Sequence, residues 1–136
     1  MVAVALIMLG VAVAAPIVEE IAFRGYLFAA LTTWRGPWMA ALVTSLLFGA
    51  AHVAALPPEL LPVAAIFGFA ACMLFWFTGS LLPSVGIHAF NNGLVVALIA
   101  GWTWQVPLAA IGAVVLSLAL LLPFAREHVP QTAEAG

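Results

Sequence analysis

Residues 15–27 place two adjacent carboxylates, Glu19 and Glu20, and one guanidinium, Arg24, inside a stretch that is otherwise apolar. An ionisable side chain costs roughly 2.5–3.5 kcal/mol to hold in a bilayer on insertion scales, so such groups mark function or a specific pairing. Helical geometry separates the three. Side chains four apart share a face, so Glu20 and Arg24 can neutralise each other. Glu19 is turned about 100° from Glu20, at 3.6 residues per turn, and has no cation of its own. The same one-turn spacing joins His52 to Phe48, and His88 to Asn92. Three helices can therefore point a carboxylate, an imidazole and an imidazole–carboxamide pair at one polar cavity. Those groups suit water activation by a general base and stabilisation of a developing oxyanion by N–H donors.

Each group also has a plainer reading. Glu20 and Arg24 can serve as a structural ion pair. A lone intramembrane histidine can be an interhelical hydrogen-bonding group, and Asn91 reads as a packing contact. Phe48 reads as a wall of the cavity, and the single cysteine, Cys72, as a small buried hydrophobe. His128 lies in the polar tail and is set aside. Co-occurrence favours the chemical reading, because His52 and His88 both fall inside apolar segments with a same-face partner one turn away.

The elements that must carry these side chains are membrane helices. The 136 residues are 67% hydrophobic and 6% charged, with neither lysine nor aspartate. Soluble domains average about 25% charged residues, so this chain could not cover a water-facing surface. The apolar runs are long and do not alternate as the strands of a membrane barrel would. The fold class is all-α, a multi-span transmembrane bundle of about five to six helices with a polar cavity between them. A net charge of −2 excludes a nucleic-acid partner, which needs a basic face. One cysteine excludes an internal disulfide.

A bilayer core about 30 Å thick takes ~20 residues per helix, and residues 2–33 exceed that. The sequence predicts a kink or break at Pro16, which divides an N-terminal apolar segment, 1–14, from the domain proper, 15–125. The first segment lacks the basic flank of a signal peptide and reads as a membrane segment. A helix over about 17–33 is followed by a turn at Trp34-Arg35-Gly36-Pro37-Trp38, with tryptophans suited to a membrane interface. Further helices are predicted over about 38–55, 60–78, 82–100 and 107–124, separated by Leu56-Pro57-Pro58-Glu59, Gly79 and Gly101-Trp102-Thr103-Trp104-Gln105. Gly68-Phe69-Ala70-Ala71 and Gly112-Ala113 read as sites where helix backbones approach closely. Residues 126–136 read as a disordered polar tail. Arg35 and Arg126 fall on one side of the membrane, which the positive-inside rule assigns to the cytoplasm.

In chain order the motifs are Glu19-Glu20-Ile21-Ala22-Phe23-Arg24 (EExxxR), Phe48-Gly49-Ala50-Ala51-His52 (FxxxH) and His88-Ala89-Phe90-Asn91-Asn92 (HxxxN), with 33 residues from Glu19 to His52 and 36 from there to His88. Together with Phe23-Arg24-Gly25 and Gly79-Ser80-Leu81-Leu82-Pro83, they resemble the CPBP family of intramembrane proteases. That family unites the type II CAAX prenyl endopeptidases with bacteriocin-processing and self-immunity proteins (the Abi domain). The likeness covers about residues 15–95. It implies an endopeptidase acting on a membrane-associated peptide, such as a prenylated CAAX tail or a leader peptide, in a bacterial cytoplasmic membrane. It implies Glu19 as general base, His52 as a holder of the attacking water, and His88 and Asn92 as the oxyanion hole. Glu20 and Arg24 would orient the site. The residue chemistry agrees independently: Glu19 is the carboxylate without a cation beside it, and an imidazole and an amide one turn apart can converge on one oxygen.

Glu19, His52 and His88 also make a legitimate zinc set with one position left for water. No HExxH signature places two ligands on one helix, so the reading preferred from sequence is metal-free, without a cofactor. Two other functions stand beside it: a non-catalytic membrane scaffold or immunity protein of the same fold, and a proton-coupled carrier using the Glu and His groups as a relay. Nothing in the sequence sets the substrate or the oligomeric state.

Overall fold

The computed structural model describes residues 2–125; Met1 and the tail 126–136, with Arg126 and His128, lie outside the described residues. Among the described residues all regular structure is helical. The elements are α1 (Val2–Ile7), α2 (Ala15–Glu20), α3 (Ala29–Ala51), α4 (Leu61–Thr78), α5 (Leu81–Ile99) and α6 (Gln105–Ala125). Two π-helical stretches, Met8–Ala14 and Ile21–Phe28, join α1, α2 and α3 into one run. Four helices are long and apolar enough to cross a membrane, rather than five to six: Ala5–Ala51, Pro58–Thr78, Leu81–Ile99 and Gln105–Pro123. The protein is a multi-pass, all-α membrane bundle.

The count falls short because the first run is unbroken at Pro16 and its turn lies within α3. Proline lacks an N–H and its ring presses on the carbonyl four residues back, which normally kinks a helix. Here the preceding stretch is π-helical: Ala15 N–H reaches back to Gly10 O rather than to Val11 O. That wider turn accommodates the ring, and Pro16 sits buried in a continuing helix. The bend comes at Gly36, whose φ of 75° and ψ of 173° are non-helical. Glycine adopts this conformation without the Cβ clash that other residues meet there. The chain folds back at this point, so the predicted turn at Trp34–Trp38 is present.

Folding back at Gly36 sets a register. Phe28 packs in a core cluster with Ala40, Ala41, Cys72 and Met73. Further from the turn, Phe23 meets Phe48 edge-on at 5.1 Å between ring centroids. Continuing outward by equal steps brings Glu19 opposite His52. The antiparallel hairpin thus delivers two of the motif residues to one place.

The other helices close the bundle. Gly79, with φ 62°, ends α4 in the left-handed conformation, and Ser80 caps α5 by accepting from Leu82 N–H. Small residues set the closest approaches. A Cβ on Gly93 would lie 3.0 Å from the Ala110 Cα and 3.1 Å from the Ala113 Cβ. Ala12, Val13, Ala89 and Ala113 form a second buried cluster. Gly68 and Ala71 are buried as a packing motif requires, but Gly112 is exposed with nothing near it. The burial pattern is that of a lipid-facing protein. Glu20, Arg24 and His88 are inside while Leu46, Ile66, Leu98 and Val115 are outside, the arrangement that hydrocarbon solvent selects.

Candidate active site

Arg24 is fully buried and forms two anchored contacts. Its Nη1 donates to Glu20 Oε1 at 2.8 Å, and its Nη2 donates to the backbone carbonyl of Gly68 in α4 at 3.1 Å. A third contact is with the Phe48 ring, whose centroid lies 4.5 Å from the guanidinium carbon. Phe48 is more than a wall. Its ring also lies 4.6 Å from that of His52 and 5.7 Å, edge-on, from that of His88. A Cβ on Gly68 would come within 3.2 Å of Phe48, so glycine there lets the ring lie against the α4 backbone.

Glu20 Oε1 accepts a second bond from His88 Nδ1, again at 2.8 Å. A carboxylate paired with arginine can only accept, so Nδ1 carries the hydrogen and the His88 Nε2 is turned the other way. It faces Glu19, with Oε2 at 3.8 Å. Phe67 of α4 braces the same imidazole edge-on at 5.2 Å.

His52 reaches Glu19 from the hairpin's other arm. Helix α3 ends at Ala51, four residues before its predicted end, and His52 is its C-cap with φ −92° and ψ 4°. In this tightened last turn His52 N–H bonds Gly49 O, which leaves the Phe48 carbonyl without its usual partner. The His52 ring takes it, Nδ1 to Phe48 O at 2.8 Å. A carbonyl can only accept, so Nδ1–H is again the donor and Nε2 keeps its lone pair in the neutral ring. That Nε2 lies 3.7 Å from Glu19 Oε2.

Glu19 Oε2 therefore stands between two imidazole Nε2 atoms and is itself buried without a hydrogen-bond partner. Separations of 3.7 and 3.8 Å exceed direct hydrogen bonds, so neither imidazole satisfies this oxygen as it stands. As a residue Glu19 is partly open, at 28% of its side-chain surface, whereas Glu20 and Arg24 are sealed. The partly open carboxylate can be reached from outside the bundle and the sealed one cannot. As placed, no group of three His, Cys, Asp or Glu side chains among the described residues is arranged to hold a metal ion, although Glu19, His52 and His88 have the right donor atoms for zinc.

Of the residues singled out in the sequence, Glu19, Glu20, Arg24, Phe48, His52 and His88 converge. Asn92 sits a turn along α5 from His88, and its hydrogen bonds run elsewhere: Nδ2 donates to Val11 O at 2.9 Å, and Oδ1 faces Asn91 Nδ2 at 3.4 Å. Asn91 itself is exposed, and Cys72 is a buried core residue. The sequence reading missed Phe67 and the Gly68 carbonyl. The Gly68-Phe69-Ala70-Ala71 stretch signals close packing, but a backbone acceptor has no side-chain signature.

The family description "Type II CAAX prenyl endopeptidase Rce1-like" matches residues 1–94, the part of the chain that carries every side chain of this cluster. No curated protein and no solved structure matches the chain. On the family match, supported by membrane-spanning helices that converge on a buried Glu–Arg–His core, the chain belongs to the Rce1-like family of type II CAAX prenyl endopeptidases.

Proposed function

We propose that the protein is an intramembrane endopeptidase in which Glu19 activates water against a peptide bond of a membrane-associated substrate. One observation carries this reading: Glu19 Oε2, unpartnered, lies 3.7 and 3.8 Å from two imidazole nitrogens whose other ring nitrogens are already committed. A water held at the open side of Glu19 and His52, both partly exposed, donates one hydrogen to each. Glu19 takes a proton from it as the oxygen attacks the scissile carbonyl carbon, and the same proton passes to the leaving amine when the tetrahedral intermediate collapses.

His88 and Asn92 are the proposed donors to the oxyanion. For His88 to donate from Nε2 while Nδ1–H stays on Glu20, the ring must be doubly protonated. Its charge then balances the carboxylate that Arg24 leaves uncompensated. Glu20 holds the ring as a buried carboxylate holds a catalytic histidine, by fixing orientation and stabilising the imidazolium. Arg24, Phe48 and the Gly68 carbonyl hold Glu20 in turn.

The proposal is metal-free. Were zinc bound, Glu19, His52 and His88 would be its ligands and it would supply Lewis acidity at the bound water. The setting supports a membrane-associated peptide as the substrate class. Lipid-facing helices and a partly open Glu19 suit a peptide presented from the bilayer of a cytoplasmic membrane, such as a prenylated CAAX tail or a leader peptide. The test is cleavage of a quenched, membrane-anchored peptide by chelator-washed protein in proteoliposomes, wild type beside His88→Ala. Turnover by the wild type, and a loss of about 10²–10³-fold in the variant, is expected. Wild-type vesicles that move protons but cut nothing would replace the protease with a carrier.

A further inference from the structure

The Asn92–Val11 hydrogen bond has an origin in the backbone. At the end of the π-helical stretch Met8–Ala14, Ala15 N–H reaches five residues back, to Gly10 O. The next carbonyl, Val11 O, falls in register with the nitrogen of residue 16, which is Pro16 and carries no hydrogen. A carbonyl without a partner in an apolar setting is costly. The Asn92 side chain fills the vacancy from α5, Nδ2 to Val11 O at 2.9 Å. A carboxamide nitrogen has two hydrogens. With one fixed on Val11 O, the direction of the other is fixed too, and the amide cannot flip to present its oxygen in the donor's place.

We propose that Pro16 is a positioning residue for the reaction: by withholding a backbone N–H it leaves Val11 O to hold the Asn92 carboxamide as an oriented donor. The inference rests on the reading of Asn92 as part of the oxyanion hole. It also accounts for a proline inside a membrane helix that does not break there, since its effect is exported to the neighbouring helix. Replacing Pro16 by alanine restores an N–H to the helix. The backbone can then satisfy its own carbonyls, and Asn92 loses its anchor.

The experiment is a double-mutant cycle on peptide cleavage with Pro16→Ala, Asn92→Ala and the pair, kcat and KM measured separately. Pro16→Ala is expected to lower kcat by about 10- to 100-fold, within the 10²–10³ range for losing a donor outright, with KM within about twofold. Its thermal stability should be equal to or above wild type, because alanine is the better helix former. Pro16→Val, which also restores the N–H, should repeat the result. In the Asn92→Ala background Pro16→Ala should cost nothing more, since the two act as one unit. Wild-type kcat in both Pro16 variants, with Asn92→Ala impaired, would overturn the inference alone. So would a Pro16→Ala loss of the same size in both backgrounds. Wild-type kcat in Asn92→Ala would remove the oxyanion reading and this inference with it.

Discussion

Glu20 and His88, 68 positions apart in the chain, are joined by a 2.8 Å hydrogen bond on the same carboxylate oxygen that receives Arg24. The ion pair that looks local in sequence is thus half of an interhelical link. It ties the first helical run to α5, and through Gly68 O it ties both to α4. Removing one partner of a buried charge pair leaves the other unpaired, at a typical cost of about 3–5 kcal/mol. Arg24→Ala is expected to lose about that much stability, read as a fall in thermal midpoint in detergent. An unchanged midpoint would mean that the buried Glu20 charge is compensated elsewhere.

Glu20→Gln separates orientation from stability. Glutamine keeps an oxygen to accept from His88 but removes the charge facing Arg24 and the imidazole. Both kcat and thermal stability are expected to fall, kcat by at least about tenfold. A fall in stability with kcat intact would confine Glu20 to structure.

The close approach of α5 to α6 predicts a contrast between two glycines. Gly93→Ala would put a methyl 3.0 Å from the Ala110 Cα and 3.2 Å from the Ala109 carbonyl, which forces α5 and α6 apart. Overpacking of this kind costs about 1–3 kcal/mol. Gly112→Ala meets nothing within 4 Å and should be neutral or slightly stabilising. Thermal denaturation of the two variants checks the pair.

The hairpin has its own weak point. Gly36→Ala places a Cβ at φ 75° and ψ 173°, an essentially glycine-only region where an L side chain costs roughly 1–3 kcal/mol. A comparable loss of stability is expected. Activity should fall with it, because the register set by this turn brings His52 opposite Glu19.

Much of the site was legible because its parts are charged or polar residues in an apolar sequence. Glu19, Glu20 and Arg24 sort themselves by helical spacing alone, and the turn at Gly36 follows from Gly-Pro. Less accessible were features created by the backbone. The early end of α3 at Ala51, which makes His52 a C-cap rather than a mid-helix residue, depends on how the last turn tightens. The unbroken passage through Pro16 depends on a π-helical turn that no residue pattern announces. Asn92 illustrates both levels: its place one turn from His88 is plain in the sequence, but its bond to Val11 follows from a hydrogen that Pro16 lacks. Phe67 and Gly68 gave no sign because an aromatic brace and a carbonyl acceptor look like ordinary packing.

Metal dependence is decided by chelation. Wild-type protein washed with a strong chelator, and measured for bound zinc, should retain its cleavage rate within about twofold. A loss of at least about tenfold that zinc restores would assign Glu19, His52 and His88 to a metal and leave the protease reading standing.

The central claim is that Glu19 is the base, and Glu19→Gln tests it with the least disturbance. The substitution keeps the shape of a side chain that forms no hydrogen bond through Oε2, so folding and thermal midpoint should match wild type. The expected result is a fall in kcat of about 10²–10⁴-fold with KM little changed. A Glu19→Gln protein that cleaves the peptide within about threefold of the wild-type rate would contradict the account.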